Sequence, residues 1–239
     1  MKAMVLAAGL GTRLRPLTND RPKALVEVAG RTLLEITLAR LRGFGIRDVI
    51  VNVHHFADLV VDYLGANDNF GMQIEVSREE VLLDTGGGLK KAGWFLGGNE
   101  PFILHNVDVI STIDLARMAA VHQERSALAT LAVQNRKTSR YLLFDKDMEL
   151  CGRRAGLEGE PEMVSAAEDP EALAFAGIHV ISPEIFPKLI EDGVFSIIPA
   201  YLRLAGSGER IVGFRADEYE WRDLGRPENI RQAMEELRS

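Results

Sequence analysis

Residues 4–14 read Met-Val-Leu-Ala-Ala-Gly-Leu-Gly-Thr-Arg-Leu, an apolar run followed by two glycines and an arginine. The apolar run predicts a buried strand over residues 4–8. In an open parallel sheet ligands bind at the carboxyl ends of the strands, so the glycine loop is expected to lie where a ligand binds. Gly9 and Gly11 let backbone N–H groups approach phosphate oxygens, and Arg13 adds a charged donor. The stretch predicts a phosphate-binding loop on an α/β fold.

The spacing of this loop excludes two familiar phosphate-binding motifs. The dinucleotide pattern needs a third glycine where Leu14 stands, and the sequence has no Gly-Lys-Ser/Thr that would make a Walker loop. Two glycines can also form a tight turn without a ligand, and that alternative stays open on these residues alone. Lys23 is a candidate for a second phosphate clamp, although a lone lysine is usually a solvated surface charge.

Beyond the loop, apolar runs alternate with amphipathic stretches. The apolar runs predict buried strands at residues 4–8, 49–53, 102–105, 127–133 and 175–181. Apolar residues three and four apart predict helices at residues 33–41, 57–64, 115–122 and 183–190, and a C-terminal helix is predicted at residues 227–237. This alternation predicts an α/β fold, a Rossmann-like three-layer sandwich with a mostly parallel central sheet, formed by residues 1–239 as a single domain.

The stretch from Gly152 to Pro170 is rich in glycine, proline and glutamate and interrupts this alternation. We predict a loop there, preceded by a short hairpin over residues 141–150. Because the loop departs from the regular pattern, it is a candidate for the part of the chain that selects the substrate.

Composition restricts the possible partners. The 239 residues are 46% hydrophobic and 26% charged, which is typical of a globular protein with a sizeable core. The net charge of −7 gives no broad attraction for nucleic acid or a membrane surface, so phosphate must be bound by local donors. Cys151 is the only cysteine, which excludes an intrachain disulfide. The apolar N-terminus is too short to span a bilayer, and we expect a cytoplasmic protein. No heptad pattern defines an oligomeric state.

The segments at residues 6–18 and 22–25 together resemble the signature of the sugar-1-phosphate nucleotidyltransferase family. The first reads Leu-Ala-Ala-Gly-x-Gly-Thr-Arg-Leu-x-Pro-Leu-Thr and the second Pro-Lys-Ala-Leu. The resemblance extends through Asp108 to Trp-Arg-Asp-Leu-Gly at residues 221–225, and so covers nearly the whole chain. It implies the nucleotide-diphospho-sugar transferase type of fold. The implied reaction transfers a nucleotidyl group from a nucleoside triphosphate to a sugar 1-phosphate and releases pyrophosphate.

The resemblance also implies a set of site residues. The catalytic residues would be Arg13, Lys23 and Asp108, and a Mg²⁺ cofactor would be held by Asp108 and Asp223. The implied substrate-binding residues are Ala8, Gly9, Gly11, Thr12, Arg13, Lys23, Thr85, Gly86, Asn106 and Gly177.

The position of Asp108 supports a metal role independently of the family. Asp108 follows a predicted buried strand, so its carboxylate is expected at the ligand-binding edge of the sheet, and carboxylate oxygens suit Mg²⁺. The alternative is that Asp108 caps a helix beginning at Ile113. Ser111 or Thr112 is better placed for that task.

Two positions depart from the family pattern. Val107 stands where the family usually has glycine. No lysine occurs between Glu158 and Pro170, where larger relatives carry a Glu-Lys-Pro element whose lysine contacts the sugar phosphate. Either Arg153 or Arg154 substitutes for that lysine, or this subgroup works without it.

Within the family, the short chain and the Thr-Gly-Gly-Gly run at residues 85–88 most resemble the uridylyltransferases that use N-acetylmuramate 1-phosphate in peptidoglycan recycling. Mannose-1-phosphate guanylyltransferases are the nearest alternative. Without the resemblance, the glycines would predict only a flexible helix start. A hypothesis of another class is a non-catalytic paralogue that senses nucleotide sugars. The joint presence of Arg13, Lys23, Asp108 and Asp223 argues against it, because a sensor needs no complete metal site.

Overall fold

Ten strands form one mixed sheet in the computed structural model, which describes residues 1–236 and their side chains as far as Ala233. In chain order the strands are β1 (Ala3–Leu6), β2 (Glu27–Val28), β3 (Arg31–Thr32), β4 (Asp48–Val53), β5 (Gln73–Arg78), β6 (Phe102–Asn106), β7 (Val109–Ser111), β8 (Ala129–Gln134), β9 (Arg140–Phe144), β10 (Leu150–Ala155), β11 (Pro161–Met163), β12 (Glu171–Ile181), β13 (Ile211–Arg215) and β14 (Trp221–Asp223). The helices are α1 (Leu33–Gly43), α2 (Ala57–Ala66), α3 (Asp84–Lys91), α4 (Gly93–Leu96), α5 (Leu115–Glu124), α6 (Ile197–Gly206) and α7 (Pro227–Glu236).

The large sheet has two halves that differ in strand direction. Its strand order is β11-β10-β9-β12-β6-β1-β4-β5. Off this path, β8 pairs with β12, and β13 pairs with β8. The strands β6, β1, β4 and β5 are parallel. The long strand β12 is antiparallel to β6, β8 and β9, and β9, β10 and β11 continue as an antiparallel meander. The carboxyl ends of β1 and β6 therefore meet at one edge of the sheet.

Apolar side chains on both faces of the sheet explain its three layers. On β1, Ala3 and Val5 belong to the core beneath α1, α2 and α5, whereas Met4 belongs to the core beneath α3 and α6. Since successive side chains of a strand point to opposite faces, a continuous apolar strand requires helices on both sides. The predicted fold class is confirmed, with parallel pairing in the central strands and antiparallel pairing at the far edge.

Two local predictions need correction, and a third is confirmed. The helix predicted at residues 183–190 is a 3₁₀ helix over Pro183–Lys188, because Pro187 lacks the N–H that an α-helix would use. The helix after β7 begins at Leu115 and not at Ile113. Its cap is Asp114 rather than Ser111 or Thr112, because the Asp114 carboxylate accepts hydrogen bonds from two backbone N–H groups of the first turn. The C-terminal helix is confirmed over Pro227–Glu236, and position 237 lies outside the described residues.

The predicted hairpin is present, but the stretch after it is only partly loop. β10 continues to Ala155, and β11 pairs with it in the register Gly152↔Met163. A Cβ on Gly152 would lie 2.6 Å from the carbonyl oxygen of Glu162, so the absence of a side chain lets the two strands approach. The glycine that suggested a loop is thus a requirement of the strand pairing. Within residues 1–236, no helix has the length and apolar content needed to cross a membrane.

Two histidines in the centre of the sheet are expected to make folding sensitive to acid. Burial lowers the pKa of His105 on β6 to about 4 and that of His179 on β12 to about 3. The unfolded chain binds a proton at each site once the pH falls below the ordinary value of 6.5, and the folded protein does not. The stability that comes from keeping these rings neutral is complete above pH 6.5 and is lost as the pH falls.

The unfolding free energy of the wild type should fall between pH 7.5 and pH 5.5, in part because the unfolded chain gains a proton at His179. We predict that this fall is smaller in His179→Asn by about 1.4 kcal/mol, the free energy equivalent of one pKa unit. Chemical denaturation at the two pH values measures this difference. The exposed His55→Asn serves as the control and should leave it unchanged. An equal pH dependence in His179→Asn and the wild type would contradict the assignment.

Candidate active site

The loop that follows β1 is fixed by close packing at Gly11. Gly11 has a left-handed backbone with φ of 64°, and a Cβ there would lie 2.9 Å from Cγ2 of Thr18 and 3.2 Å from Cβ of Lys23. The Thr18 hydroxyl donates to the carbonyl oxygen of Gly11 at 2.8 Å. At the start of the loop, the backbone N–H of Ala7 donates to the buried side chain of Asn52 at 2.7 Å. The conformation and the packing both require glycine at position 11.

Lys23 and Asp108 form an ion pair at the edge of the sheet. Lys23 begins a short 3₁₀ helix after Pro22, and Asp108 lies in the turn between β6 and β7. The Lys23 ammonium donates to Oδ2 of Asp108, and the two side chains are only 12% and 14% exposed. The structure therefore brings together a predicted phosphate clamp and a predicted metal ligand that are 85 residues apart in sequence.

A two-stranded ribbon brings Asp223 to the same place. β14 pairs with β7 in the antiparallel register Asp223↔Val109, and the backbone N–H of Leu224 donates to the carbonyl oxygen of Asp108 at 2.8 Å. A Cβ on Gly225 would lie 2.8 Å from Oδ1 of Asp223, 3.0 Å from Oδ2 of Asp108 and 3.0 Å from Nη2 of Arg13. Both carboxylates and the Arg13 guanidinium thus converge on Gly225.

The two carboxylates of this cluster offer the oxygen ligands that a divalent cation takes. Burial, followed by the negative charge of Asp108, raises the pKa of Asp223, while the N–H of Gly225 and the charge of Lys23 act in the opposite direction. Among the described residues no third carboxylate, histidine or cysteine completes a metal cage. A pair of carboxylates fits Mg²⁺, which usually takes its remaining ligands from water and substrate phosphates.

A cavity of about 760 Å³ extends from this cluster toward β9 and β10. Arg13, Asn106, Asp108 and Asp223 line one end, and Gly177 of β12 lies on its wall. Gly177 has φ of 75°, and a Cβ there would lie 2.8 Å from the amide nitrogen of Asn106. Pairing with β8 is irregular between Phe175 and His179, and the glycine within this bulge leaves the wall free of a side chain.

Thr85 and Gly86 do not line this cavity. They lie inside α3, so the glycine run is part of the helix rather than a flexible start. The Thr85 hydroxyl accepts a hydrogen bond from the backbone N–H of Ile197 at 3.0 Å, and the N–H of Gly86 donates to the carbonyl oxygen of Phe195 at 2.9 Å. A side chain on Gly86 would overlap the Phe195 ring. These groups hold the loop before α6, and their contact with a substrate stays a prediction.

The remaining predicted residues belong to the loop after β1. Ala8 is buried at its base, while Gly9 and Thr12 are exposed. A Cβ on Gly9 would meet no atom within 4 Å, so this glycine is not required by packing. The open space above Gly9 is compatible with a bound phosphate group.

Arg136 is a cavity residue that the sequence analysis missed. Its guanidinium lies 3.7 Å from the centre of the Trp221 ring and donates to the carbonyl oxygen of Phe175 at 2.7 Å. Trp221 in turn donates from Nε1 to the carbonyl oxygen of Ala176 at 2.7 Å. Arg136 stands just beyond the end of β8, so the rule that selected Asp108 after β6 applied here as well.

Comparison with known proteins identifies the class of this site. The nucleotidyl transferase family matches residues 2–239, and the chain belongs to this family. An N-acetylmuramate alpha-1-phosphate uridylyltransferase from Caulobacter vibrioides is 40% identical over 95% of this chain and 92% of its own length. The prediction of a sugar-1-phosphate nucleotidyltransferase is confirmed at the level of enzyme class.

Two further similarities are informative. The mannose-1-phosphate guanylyltransferase catalytic subunit beta from Dictyostelium discoideum is 28% identical over 98% of this chain, which spans 64% of that relative. The structure of a UDP-glucose pyrophosphorylase from Acinetobacter baumanii is 19% identical, with a TM-score of 0.79 over 98% of this chain and 91% of the other. The relatives differ in the base and sugar that their names state, while the fold is shared.

Neutralising Asp223 should stabilise the protein at neutral pH. Because the pKa of Asp223 is raised by folding, its neutral form is favoured in the folded state, and the associated stability is lost as the pH rises through that pKa. We predict that Asp223→Asn, with divalent cations chelated, unfolds at a higher temperature than the wild type at pH 7.5. The difference should shrink as the pH falls toward 4.

Thermal unfolding across this pH range measures the effect. Asp217→Asn is the control, because folding lowers the pKa of Asp217 and the substitution should destabilise rather than stabilise. A lower unfolding temperature for Asp223→Asn at pH 7.5 would contradict the electrostatic account of the site.

Proposed function

We propose that this protein transfers a uridylyl group from UTP to N-acetylmuramate 1-phosphate, giving the UDP-sugar and pyrophosphate. The observation that carries the proposal is the convergence of Arg13, Lys23, Asp108 and Asp223 at one end of a cavity large enough for a sugar. The 40% identical relative supports the choice of substrates. Such a reaction would serve cytoplasmic recycling of peptidoglycan.

The reaction needs no activated side-chain nucleophile. A phosphate oxygen of the sugar 1-phosphate attacks the α-phosphorus of the triphosphate, and the bond from that phosphorus to the bridging oxygen breaks as pyrophosphate leaves. The nucleophile is already anionic, so the protein contributes positioning and charge neutralisation. This accounts for a site composed of cations and carboxylates without a histidine base.

Each site residue has a proposed task in this reaction. The N–H groups of the loop from Ala8 to Thr12 and the side chains of Arg13 and Lys23 bind the triphosphate, because backbone N–H groups and cations are suited to phosphate oxygens. Asn106 and Gly177 contact the sugar. Asp108 and Asp223 hold Mg²⁺, which when bound neutralises negative charge on the phosphates. The Lys23 ammonium lies against Asp108 and is within reach of the same phosphates.

Removing either triphosphate cation should impair turnover. We predict that Arg13→Ala and Lys23→Ala each lower kcat/KM by about ten- to a hundredfold, equivalent to about 1.5–3 kcal/mol for a charge-assisted contact. Pyrophosphate release at limiting UTP measures the effect. Arg21→Ala is the control, since Arg21 is exposed beside Asp20 and should leave kcat/KM unchanged. Wild-type kinetics in both site variants would remove these residues from the proposal.

The substrate pair is tested by direct competition. Incubation with Mg²⁺, each common nucleoside triphosphate and a panel of sugar 1-phosphates, followed by product mass, should give UDP-N-acetylmuramate as the main product. We predict that kcat/KM for this pair exceeds that for GTP with mannose 1-phosphate by at least about tenfold, the discrimination that a few pocket contacts supply. The reverse preference would favour the guanylyltransferase alternative. Binding of nucleotide sugar without pyrophosphate release from any pair would favour a sensor.

A further inference from the structure

Two buried polar side chains, Asn52 and Glu79, lie across the carboxyl ends of three parallel strands. Asn52 is on β4, and Glu79 directly follows β5. In the sheet β4 lies between β1 and β5, and Asn52 is opposite Leu6 of β1. Asn52 is 2% exposed and Glu79 is 5% exposed. The pair is therefore enclosed by protein at the edge of the sheet from which the phosphate-binding loop leaves.

Three hydrogen bonds connect this pair to the backbone on either side, and we call them the relay. The backbone N–H of Ala7 donates to Oδ1 of Asn52, and Nδ2 of Asn52 donates to Oε1 of Glu79, both at 2.7 Å. The backbone N–H of Leu83 donates to Oε2 of Glu79 at 2.9 Å. Because a backbone N–H can only donate, both ends of the relay require an acceptor, and Asn52 must supply the donor between them. The relay therefore has one direction, which an amide at position 52 and a carboxylate at position 79 satisfy.

Close packing holds the two side chains of the relay in place. A Cβ on Gly88 of α3 would lie 2.8 Å from Oε1 of Glu79 and 2.9 Å from Nδ2 of Asn52, so the glycine leaves just enough room for them. The backbone N–H of Glu79 donates to the carbonyl oxygen of Val53 at 2.8 Å, and its own carbonyl oxygen lies 2.8 Å from Nδ1 of His54. Since the side chains have little space to rearrange, a mismatch in the relay would displace the backbone groups at its ends.

We propose that Asn52 and Glu79 are positioning residues that set the phosphate-binding loop in the conformation that binds the triphosphate. One end of the relay is Ala7, directly before the loop from Ala8 to Thr12. A shift of Ala7 would move the loop's N–H groups, and a misplacement of about 1 Å is enough to impair a binding site strongly. Both side chains act through the relay and not by contact with the nucleotide. This inference rests on the proposed function, in which that loop binds the triphosphate.

Substitutions that keep the shape of both side chains test the relay. Glu79→Gln leaves one acceptor for two donors, and Asn52→Asp sets a second carboxylate against Glu79. Each should raise the Kd for UTP with Mg²⁺ by about tenfold or more, because a buried group loses its partner. Calorimetric titration below the unfolding transition measures the Kd.

The double variant Asn52→Asp/Glu79→Gln reverses the middle hydrogen bond of the relay. The new carboxylate accepts from Ala7 and from the new amide, whose oxygen accepts from Leu83, so that all three hydrogen bonds and the net charge are restored. Its Kd for UTP should return to within about threefold of the wild type, a non-additive rescue. Ser77→Ala is the matched control on β5, because the buried Ser77 hydroxyl has no hydrogen-bond partner among the described residues, and it should leave the Kd unchanged.

Thermal unfolding of each variant separates positioning from a purely structural role. Single variants that unfold at a lower temperature but bind UTP like the wild type would overturn the inference while the proposed function stands. A folded double variant that binds as weakly as the single variants would overturn it as well. If a single variant does not fold, Gly88→Ala takes its place, because the added methyl group displaces the relay without removing a hydrogen-bonding group. Unchanged UTP binding in folded Gly88→Ala would again overturn the inference.

The wild type distinguishes failure of this inference from failure of the proposed function. If it binds another nucleoside triphosphate but not UTP, the proposed substrate pair fails, and the same comparison made with that nucleotide decides the inference. If it binds no nucleoside triphosphate, the proposed function and the inference both fail.

Discussion

The repulsion between the carboxylates of Asp108 and Asp223 is the constraint around which the site is built. Backbone pairing of β7 with β14 holds the two side chains together, so they cannot separate without breaking the ribbon. Lys23 and Arg13 lie beside the pair and bring the formal charge of the four groups to zero. A divalent cation between the carboxylates would separate their charges and would also attract phosphates, which links the stability of the site to the binding of its substrate.

The rest of the fold supports that arrangement. The parallel strands β1 and β6 bring the glycine loop and Asp108 to one edge, and the antiparallel half of the sheet extends the cavity toward β9 and β10. The cavity lining combines the carboxylates of Asp108 and Asp223 with several arginines, among them Arg13 and Arg136.

The sequence predicted the location of site residues that directly follow an apolar run. It did not predict the location of residues that depend on long-range strand pairing or packing. Asp108 and the glycine loop follow apolar runs, so their position at the sheet edge followed from the order of strands and helices. Arg140 lies on a meander whose pairing depends on the close approach of Gly152 to β11, and glycine there suggested a loop. Arg153 and Arg154 on the same meander were named only as possible substitutes for the family's lysine. The glycines of α3 were interpreted through the family resemblance as a substrate-binding element. Their packing was not predictable, because the contact of Phe195 with Gly86 involves residues more than a hundred positions apart. Long-range packing of this kind leaves no local pattern in a single sequence.

The shared carboxylate site is the central claim, and Mn²⁺ binding followed by electron paramagnetic resonance tests it most directly. Mn²⁺ replaces Mg²⁺ at oxygen sites and gives a signal that distinguishes free from bound ion. In the presence of a non-hydrolysable UTP analogue, the wild type should bind one Mn²⁺ at the carboxylate pair. Asp108→Asn and Asp223→Asn should each weaken that binding tenfold or more. Undiminished Mn²⁺ binding in either variant would contradict the claim that both carboxylates hold one ion.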